Sequence, residues 1–312
     1  MKLIKKIFVF LLIVLLFTGC ESKSKEKEKE KTEEIKPLLY EVTKEGSDNV
    51  MYLLGSIHAT KKNAFPLPSY IMDAYENSLY LAVECDVVSY MENIDLESYV
   101  LSYLYPDGSP VKEHISEETY NKLIEKLKEL KLYNENLIYY NTNFFASLLQ
   151  EKVMEDAKLK EEGIDNFFIE DALSNNKNIL EVESVEFQME LLNSFSDRLY
   201  ELQLLSLLDE YDENVISLKL MYDSWANGDI DKLIELLYMD DDDLSEEDKA
   251  IVDDYNNRLV DLRNVTMTNK FMEYFENNYK TFFVVGALHL YGDNGIINGL
   301  INNGYSVKAI NE

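Results

Sequence analysis

Two histidines follow apolar runs that end in the same short pattern. The segments "YLLGSIH", residues 52–58, and "FFVVGALH", residues 282–289, each contain an apolar run, a glycine, two further residues and a histidine. The chain has only 3 His and 11 Gly, so two such GxxH motifs are improbable by chance. Glycine lets the backbone turn sharply or approach another element. The pattern predicts that His58 and His289 point into one cleft.

Runs of strand length end next to these histidines and next to two glutamates. We predict strands at residues 50–57, 79–85, 178–183 and 281–288, with a fifth at 305–310. In an open parallel sheet, ligands bind beyond the carboxyl ends of the strands. His58 follows the first of these strands, Glu84 and Glu183 lie at the ends of the second and third, and His289 follows the fourth. Two imidazoles and two carboxylates are therefore expected at one edge.

This set of side chains matches the ligand types of a first-row divalent metal site, such as Zn²⁺, Mn²⁺, Co²⁺ or Fe²⁺. We predict that His58 and His289 are metal ligands, with Glu84 as a third ligand or as the base that accepts a proton from water. Either histidine alone is better explained as a satisfied polar residue at a strand end, whereas the pair favours metal binding. His114 lies in the loop "PDGSPVKEHISEE", lacks this context and is predicted to be exposed.

The segments between the predicted strands carry helical periodicity, most clearly over residues 186–227 and 245–279. Strands that alternate with helical segments predict an α/β fold with a largely parallel central sheet. Two long, mainly helical insertions, at about 87–175 and 186–279, are predicted to form a cap over this sheet. The folded domain is expected to span residues 37–312.

The first 20 residues, "MKLIKKIFVFLLIVLLFTGC", combine a basic start, an apolar stretch too short to span a bilayer comfortably, and small residues before a cysteine. This looks like a bacterial signal peptide with a lipobox. It predicts removal of residues 1–19 and lipidation of Cys20, with an uncleaved anchor as the alternative. Residues 21–36 are charged and almost free of apolar side chains, which predicts a hydrated tether. We therefore expect a lipid-anchored, extracytoplasmic protein at the cell membrane.

Charge and cysteine content limit the partners and the chemistry. The formal net charge of −29 repels phosphate backbones, so nucleic acid is not expected as a partner. With Cys20 used for lipidation, Cys85 is the remaining thiol, which leaves no intrachain disulfide in the mature protein. Cys85 lies in an apolar run and is predicted to be a small buried residue rather than a nucleophile. Trp225 is predicted to pack in the core or the cap.

Four long stretches, which occur in family order across residues 38–312, resemble the TraB/PrgY/GumN family, which is related to the TIKI metalloproteases. They are "YLLGSIHATKKNAFPLPSYIMDAYENSLYLAVECD", "GIDNFFIEDALSNNKNILEVESVEFQMELL", "LRNVTMTNKFMEYF" and "FFVVGALHLYGDNGIINGLINNGYSVKAI". The resemblance implies an α/β core with paired GxxH motifs, an acidic residue at Glu84, a pair at Glu183 and Gln188, and an Arg-Asn pair at Arg263 and Asn264. It also implies metal-dependent hydrolysis.

The residues that the resemblance adds have chemically distinct roles. Arg263 is predicted to hold a substrate carboxylate or stabilise an oxyanion, because guanidinium is permanently charged and forked; a salt bridge at a helix start is an equally good explanation. Glu183 is the second candidate catalytic carboxylate. Gln188 is predicted to orient Glu183 or the substrate. Asn264 is a candidate for substrate binding or for capping the helix that follows.

Two functions are consistent with these features. The first is a lipid-anchored, extracytoplasmic, metal-dependent hydrolase, with peptidase activity as the narrower hypothesis, whose cap restricts the substrate to a peptide or a small molecule. The alternative is a non-enzymatic surface protein that binds or sequesters a peptide signal. The chain lacks HExxH, which removes one route to a zinc peptidase but does not exclude GxxH chemistry. Enzymatic activity stays open at the level of the sequence.

Overall fold

The computed structural model describes residues 33–159, 163–237 and 244–311. The predicted signal peptide, Cys20 and most of the predicted tether lie outside these ranges. Within them, none of the helices has both the length and the hydropathy needed to cross a membrane.

A six-stranded mixed sheet forms the centre of the fold, with strand order β4-β3-β5-β2-β1-β6. The strands are β1 Leu39–Lys44, β2 Met51–Ser56, β3 Tyr80–Val83, β4 Asn178–Glu181, β5 Thr281–Gly286 and β6 Tyr305–Ile310. Strands β2, β5, β3 and β4 are parallel, whereas β1 is antiparallel to both β2 and β6. The predicted α/β class and the largely parallel sheet are confirmed. Strand β1 was missed because its apolar residues are few and follow directly on the charged run.

Helices surround this sheet. Within the described ranges they are α1 Ser69–Asn77, α2 Val87–Asn93, α3 Leu96–Leu101, α4 Glu117–Glu129, α5 Thr142–Asp156, α6 Ile164–Asn175, α7 Val185–Asn193, α8 Asp197–Asp209, α9 Tyr211–Ala226, α10 Ile230–Leu237, α11 Glu246–Asn256, α12 Leu262–Glu276 and α13 Ile296–Asn302. Several begin at a polar side chain that accepts the backbone N–H three residues later, as Ser116 does for α4 and Asn141 for α5.

Strand β5 shows how the sheet is covered on both faces. All of its residues are buried, as expected for a central parallel strand. The ring of Phe282 packs against Tyr75 of α1 and Phe168 of α6, whereas the ring of the next residue, Phe283, packs against Phe271 of α12. Because successive strand residues point to opposite faces, α1 and α6 cover one face and α12 covers the other.

The remaining long helices pack mainly on one another. Helix α8 contacts α4, α5, α9 and α11, and α9 contacts α5 and α10. We refer to α4, α5 and α8–α11 as the cap helices. Helices α6 and α12 also lie within the two insertions predicted from the sequence, yet they contact the strands directly. The cap helices therefore account for only part of each insertion.

The end of the predicted tether packs on the domain, which corrects its boundary at residue 36. Ile35 is buried, with 3% of its surface exposed, and belongs to the main core. The backbone N–H of Lys36 donates to Ala226 O at 2.6 Å, and that of Glu33 donates to Asn63 O at 2.8 Å. A single apolar residue in a charged run scarcely changes its composition, but it can still fill a specific gap in the core.

Candidate active site

The two GxxH motifs leave the sheet side by side. Strands β2 and β5 are parallel neighbours in which Ser56 is paired with Gly286, so His58 and His289 emerge at the same edge. His289 ends a short 3₁₀ turn that follows β5 directly. At Gly55, a Cβ atom would lie 3.0 Å from Ala287 Cα. The first glycine therefore allows the turn of the second motif to pack closely against the first.

Gly286 has a different function, because it leaves open space between polar groups. A Cβ atom there would lie 3.3 Å from Glu84 Oε1, 3.6 Å from His289 Cδ2 and 3.9 Å from His58 Nε2. The side chains of both histidines and of Glu84 thus surround one small volume that any larger residue at position 286 would begin to fill.

His289 is fully buried and held in one tautomer. Its Nδ1 lies 2.6 Å from Asn264 Oδ1. An amide oxygen only accepts hydrogen bonds, so Nδ1 carries the proton and Nε2 keeps its lone pair. Nε2 is buried and has no hydrogen-bond partner among the described residues; it lies 3.8 Å from Glu84 Oε1. Burial and the charge of Arg263 lower the pKa of His289 to about 3, so this imidazole is neutral near pH 7.

His58 is more accessible and has a charged partner. Its side chain is 29% exposed, and its Nδ1 lies 3.1 Å from Asp165 Oδ2. Because a carboxylate only accepts hydrogen bonds, this contact places a proton on Nδ1 and leaves Nε2 for another ligand. Burial disfavours the charged imidazole, but the Asp165 carboxylate outweighs it, and the pKa of His58 is raised above its ordinary value.

Asp165 is a site residue that the sequence reasoning missed. It lies in the first turn of α6, which is anchored beside the first motif by the hydrogen bond from Ile164 N–H to Ile57 O at 3.0 Å. A Cβ atom at Gly163 would lie 2.8 Å from His58 Cα, so only glycine allows this approach. The signal was the short segment "GID", which starts one of the stretches that resemble the family.

Glu84, Glu183 and Arg263 form a buried ion cluster beside the histidines. Arg263 Nη2 donates to Glu84 Oε2 at 2.5 Å and to Glu183 Oε2 at 2.8 Å, and its Nε donates to both oxygens of Glu183 at 3.0 Å. The side chains of Arg263 and Glu183 are each 3% exposed. One guanidinium thus faces two carboxylates, and buried charges of this kind persist only when they are paired.

Glu84 is fixed at both oxygens. Oε1 accepts the backbone N–H of Gly286 at 2.8 Å, and Oε2 accepts hydrogen bonds from Arg263 and from Gln188 Nε2, the latter at 3.1 Å. Burial raises the pKa of this carboxyl group, but Arg263, His289 and His58 overcome that effect and lower it to about 2. Glu84 is therefore ionised, and Oε1 retains a lone pair near both histidines.

Gln188 and Cys85 add further hydrogen bonds to this ion cluster. Gln188 Nε2 also donates to Glu183 Oε2 at 3.0 Å, and Cys85 Sγ donates to Gln188 Oε1 at 3.3 Å. Gln188 thus hydrogen-bonds both carboxylates, and a role in orienting Glu183, one of the two roles predicted for it, is consistent with this position. Cys85 is buried, as predicted, and burial raises the pKa of its thiol far above the usual range. An inert thiol in this position orients the amide of Gln188.

A stretch of π-helix places Arg263 and Asn264. Residues Asn257–Asp261 are π-helical and continue without a break from α11 into α12. The capping role considered for Asn264 is wrong, because α12 has no free start at which a cap could act. The wider π turn contacts the 3₁₀ turn of the second motif, and Arg263 Nη1 donates to Leu259 O within it at 3.1 Å. Short π-helical segments occur frequently at functional sites.

Two further predictions concern residues outside the cluster. The prediction that His114 is exposed is wrong, because its side chain is only 23% exposed, stacks on Tyr105 and contacts Asp197 Oδ2 at 3.1 Å. Trp225 is buried, as predicted, and its Nε1 donates to Gly55 O at 2.8 Å. The indole therefore holds the backbone of the first GxxH motif.

A cavity of about 730 Å³, including the space open to solvent, adjoins the two histidines. Its walls are mostly apolar and come from the strand ends and from the cap helices; they include Ile57, Met154, Leu218, Met221, Leu233 and Leu288. We call this space the apolar cavity.

The imidazole nitrogens and the carboxylate oxygen at this edge of the sheet are the atom types that ligate divalent metal ions. Two imidazole Nε2 atoms retain lone pairs, Glu84 Oε1 is ionised, and each imidazole donates its other N–H to an oxygen, as metal-binding histidines do. Across the described ranges, however, no three or more His, Cys, Asp or Glu side chains are arranged so that they could hold a metal ion. Two histidines and one carboxylate oxygen would need a further ligand from solvent or substrate.

Paired GxxH histidines and an arginine–carboxylate cluster at the carboxyl edge of a mixed sheet define an α/β protein with a buried polar centre. The chain belongs to the TraB/PrgY/gumN family, which matches residues 38–309, and the resemblance inferred from the sequence is confirmed. It is 24% identical over 265 residues to the uncharacterized protein YbaP of Escherichia coli (strain K12), across 82% of this chain and 89% of YbaP. No solved structure matches the chain.

Proposed function

We propose that this chain is a metal-dependent hydrolase in which Nε2 of His58 and Nε2 of His289 bind one divalent ion, with Glu84 beside them either as a third ligand, if the ion draws these groups closer together, or as the base that accepts a proton from water. The observation that carries the proposal is the Nε2 atom of His289, which is buried, keeps its lone pair and has no hydrogen-bond partner among the described residues. A buried polar atom without a partner is costly, and functional sites are where such costs are retained.

The partners of the two histidines support the same assignment. Asp165 and Asn264 each accept the Nδ1–H of one imidazole, which fixes both Nε2 lone pairs for a ligand. Partners of this kind orient metal-binding histidines and raise their basicity. Asn264, first considered as a substrate-binding residue, is therefore better described as the positioning residue for His289.

The ion cluster supplies charge and orientation. Arg263 keeps Glu84 ionised and in place, and Glu183 and Gln188 complete the hydrogen bonds around it. Because Arg263 is buried and bonded to both carboxylates, it acts on the substrate through Glu84 rather than by direct contact. The chemistry that a divalent ion supplies when bound is Lewis-acid polarisation of a carbonyl group. An amide or ester of a peptide or small molecule is the substrate class that fits this arrangement.

A second candidate function is binding without catalysis, in which the protein sequesters a peptide signal. The observation that favours it is the lack of a ready group of three metal ligands among the described residues. The two candidates agree on where the ligand lies and differ in whether a metal ion is bound and a bond is cleaved.

We further propose that the protein is held on the outer face of the membrane through a lipid on Cys20. The support is the pattern at residues 1–20, which lies outside the described residues. Cys20→Ser should block processing or release the protein from the membrane fraction. Unchanged mass, processing and membrane retention in this variant would refute the anchor.

The hydrolase proposal is tested by metal analysis of the purified protein and by peptide-library cleavage with and without a chelator. His58→Ala and His289→Ala should each lose most of the bound metal, because either change leaves too few ligands for tight binding. His114→Ala is the matched control and should retain it. If the wild-type protein binds no divalent metal under any loading condition, or if both variants keep it fully, the binding function replaces the hydrolase.

A further inference from the structure

The apolar cavity carries information about the substrate that the histidines alone do not. Leu218 of α9 and Leu233 of α10 form part of its wall and are 9% and 2% exposed. Because these side chains are packed against the core, the cavity is preformed rather than a gap between mobile groups. None of the described residues that line it is Asp, Glu, Lys or Arg. Away from His58 and His289, a charged ligand group would therefore be desolvated there without a counter-charge.

Two buried polar atoms interrupt this apolar lining. Ser56 and His289 both line the cavity, and both Ser56 Oγ and His289 Nε2 are buried without a hydrogen-bond partner among the described residues. Ser56 is 2% exposed and is paired with Gly286 across the sheet, so its hydroxyl lies beside the glycine that makes room at the site. A hydroxyl can donate one hydrogen bond and accept others. The cavity thus has apolar walls and one polar end.

We propose that the apolar cavity is a specificity pocket that receives a large aliphatic or aromatic side chain of a peptide, and that Ser56 hydrogen-bonds the peptide backbone beside that side chain. The position next to the histidines places this residue adjacent to the bond that is cleaved, a step that rests on the proposed hydrolase function. The binding preference itself needs no cleavage. Acidic side chains are disfavoured against these walls, because none of the described lining residues from the cap helices carries a positive charge.

The binding arm of the test uses metal-free protein and simple amino-acid amides. N-acetyl-leucinamide and N-acetyl-phenylalaninamide, titrated by NMR, should bind at least about tenfold more tightly than N-acetyl-glycinamide or N-acetyl-aspartic acid amide. Leu218→Gln should abolish that preference. Leu220→Gln is the matched control, because Leu220 lies on the same helix but is 42% exposed, and this variant should keep the preference.

Ser56→Ala tests the polar end with a change that removes only a hydroxyl group. It should weaken binding of all four amides several-fold and leave the preference for the apolar side chains intact, because the walls are unchanged. Equal binding of all four amides by the wild-type protein, or an unchanged preference in a folded Leu218→Gln variant, overturns the pocket assignment. Should Leu218→Gln not fold, the wild-type comparison and Ser56→Ala still decide it.

The cleavage arm separates this inference from the proposed function. In a peptide library, the metal-loaded protein should cut next to Leu, Met or Phe. Cleavage without such a preference overturns the pocket and leaves the hydrolase. A clear preference in amide binding, with no cleavage under any metal loading, overturns the hydrolase and leaves the pocket as the ligand site of a binding protein.

Discussion

The two GxxH motifs have the same sequence pattern but very different surroundings. The first half-site, His58 with Asp165, is partly open, since the His58 side chain is 29% exposed and its partner is a carboxylate. The second half-site, His289 with Asn264, is closed, since His289 is fully buried and its partner is a neutral amide. Helix α6 supplies one partner and α12 the other. The pattern fixes where each histidine lies but not its charge.

This difference in surroundings gives the two histidines different proton affinities. At the closed half-site, burial and Arg263 keep the imidazole neutral, so its Nε2 lone pair is always available. At the open half-site, the Asp165 carboxylate favours the imidazolium and raises the pKa of His58, so this imidazole is the more basic of the two. A rigid neutral imidazole next to a more accessible, more basic one would suit the proposed site, which must hold a group and also exchange protons. Four tests address this comparison.

The largest effect is expected at the ion cluster beside the closed half-site. Arg263→Met leaves Glu84 and Glu183 buried without their cation, which should lower the free energy of unfolding by about 3–5 kcal/mol in urea denaturation. Arg258→Met is the control, because the Arg258 side chain is 31% exposed and its ion pair with Asp254 and its contact with the Phe195 ring lie near the surface, so the change should cost about 1 kcal/mol or less. Equal effects for the two arginines would mean that the cluster does not stabilise the closed half-site.

The next test replaces the hydrogen-bond partner of each histidine with leucine. Asn264→Leu leaves a buried N–H of His289 without an acceptor and should cost about 1–3 kcal/mol of stability. Asp165→Leu should cost less, because His58 and Asp165 are partly exposed and water can replace the lost hydrogen bond. Thermal and urea unfolding of both variants decides this. A larger loss for Asp165→Leu would reverse the assignment of closed and open half-sites.

The half-sites should also respond to pH with opposite signs in the metal-free protein. The pKa of His289 is lowered, so its unfolded form binds protons first, and stability should fall by about 1 kcal/mol between pH 6.5 and 5.5. The pKa of His58 is raised, so its contribution is complete below about pH 6.5 and is lost as pH rises through the folded value.

Unfolding measured against pH in His289→Gln and His58→Gln checks this separation. The His289→Gln variant should lose the decline in stability toward acid pH, and the His58→Gln variant should lose the decline toward alkaline pH, whatever their absolute stabilities. Identical pH profiles for the wild-type protein and both variants would show that other groups dominate the titration.

The smallest effect on stability is expected at Cys85, which contacts the ion cluster only through Gln188. Cys85→Ser keeps a donor for Gln188 Oε1, so stability should change by about 1 kcal/mol or less. In the folded wild-type protein, burial and the raised pKa of this thiol should make alkylation by iodoacetamide much slower than in urea. Rapid alkylation of the native protein would indicate a reactive thiol and an open path to the closed half-site.

Much of the fold was predictable because short apolar runs in the sequence mark strands locally. The apolar runs before the two histidines correspond to β2 and β5, and those before Glu84 and Glu183 to β3 and β4. Strand β1 was missed because it has few apolar residues directly after a charged run, and Ile35 because a single apolar residue in such a run gives no periodic pattern. Their burial is decided by the core that they complete rather than by local periodicity.

The sequence by itself determined which side chains end the strands, namely His58, Glu84, Glu183 and His289, because strand length and the glycine turns are local properties. Only the tertiary structure decided their partners. Asp165 lies 107 residues from His58, and Arg263 lies 179 residues from Glu84. Such pairs are set by strand order and helix packing, which bring together elements that no local pattern connects. Charge state and proton position follow from those partners, so the same GxxH pattern yields one neutral, buried histidine and one open, basic histidine.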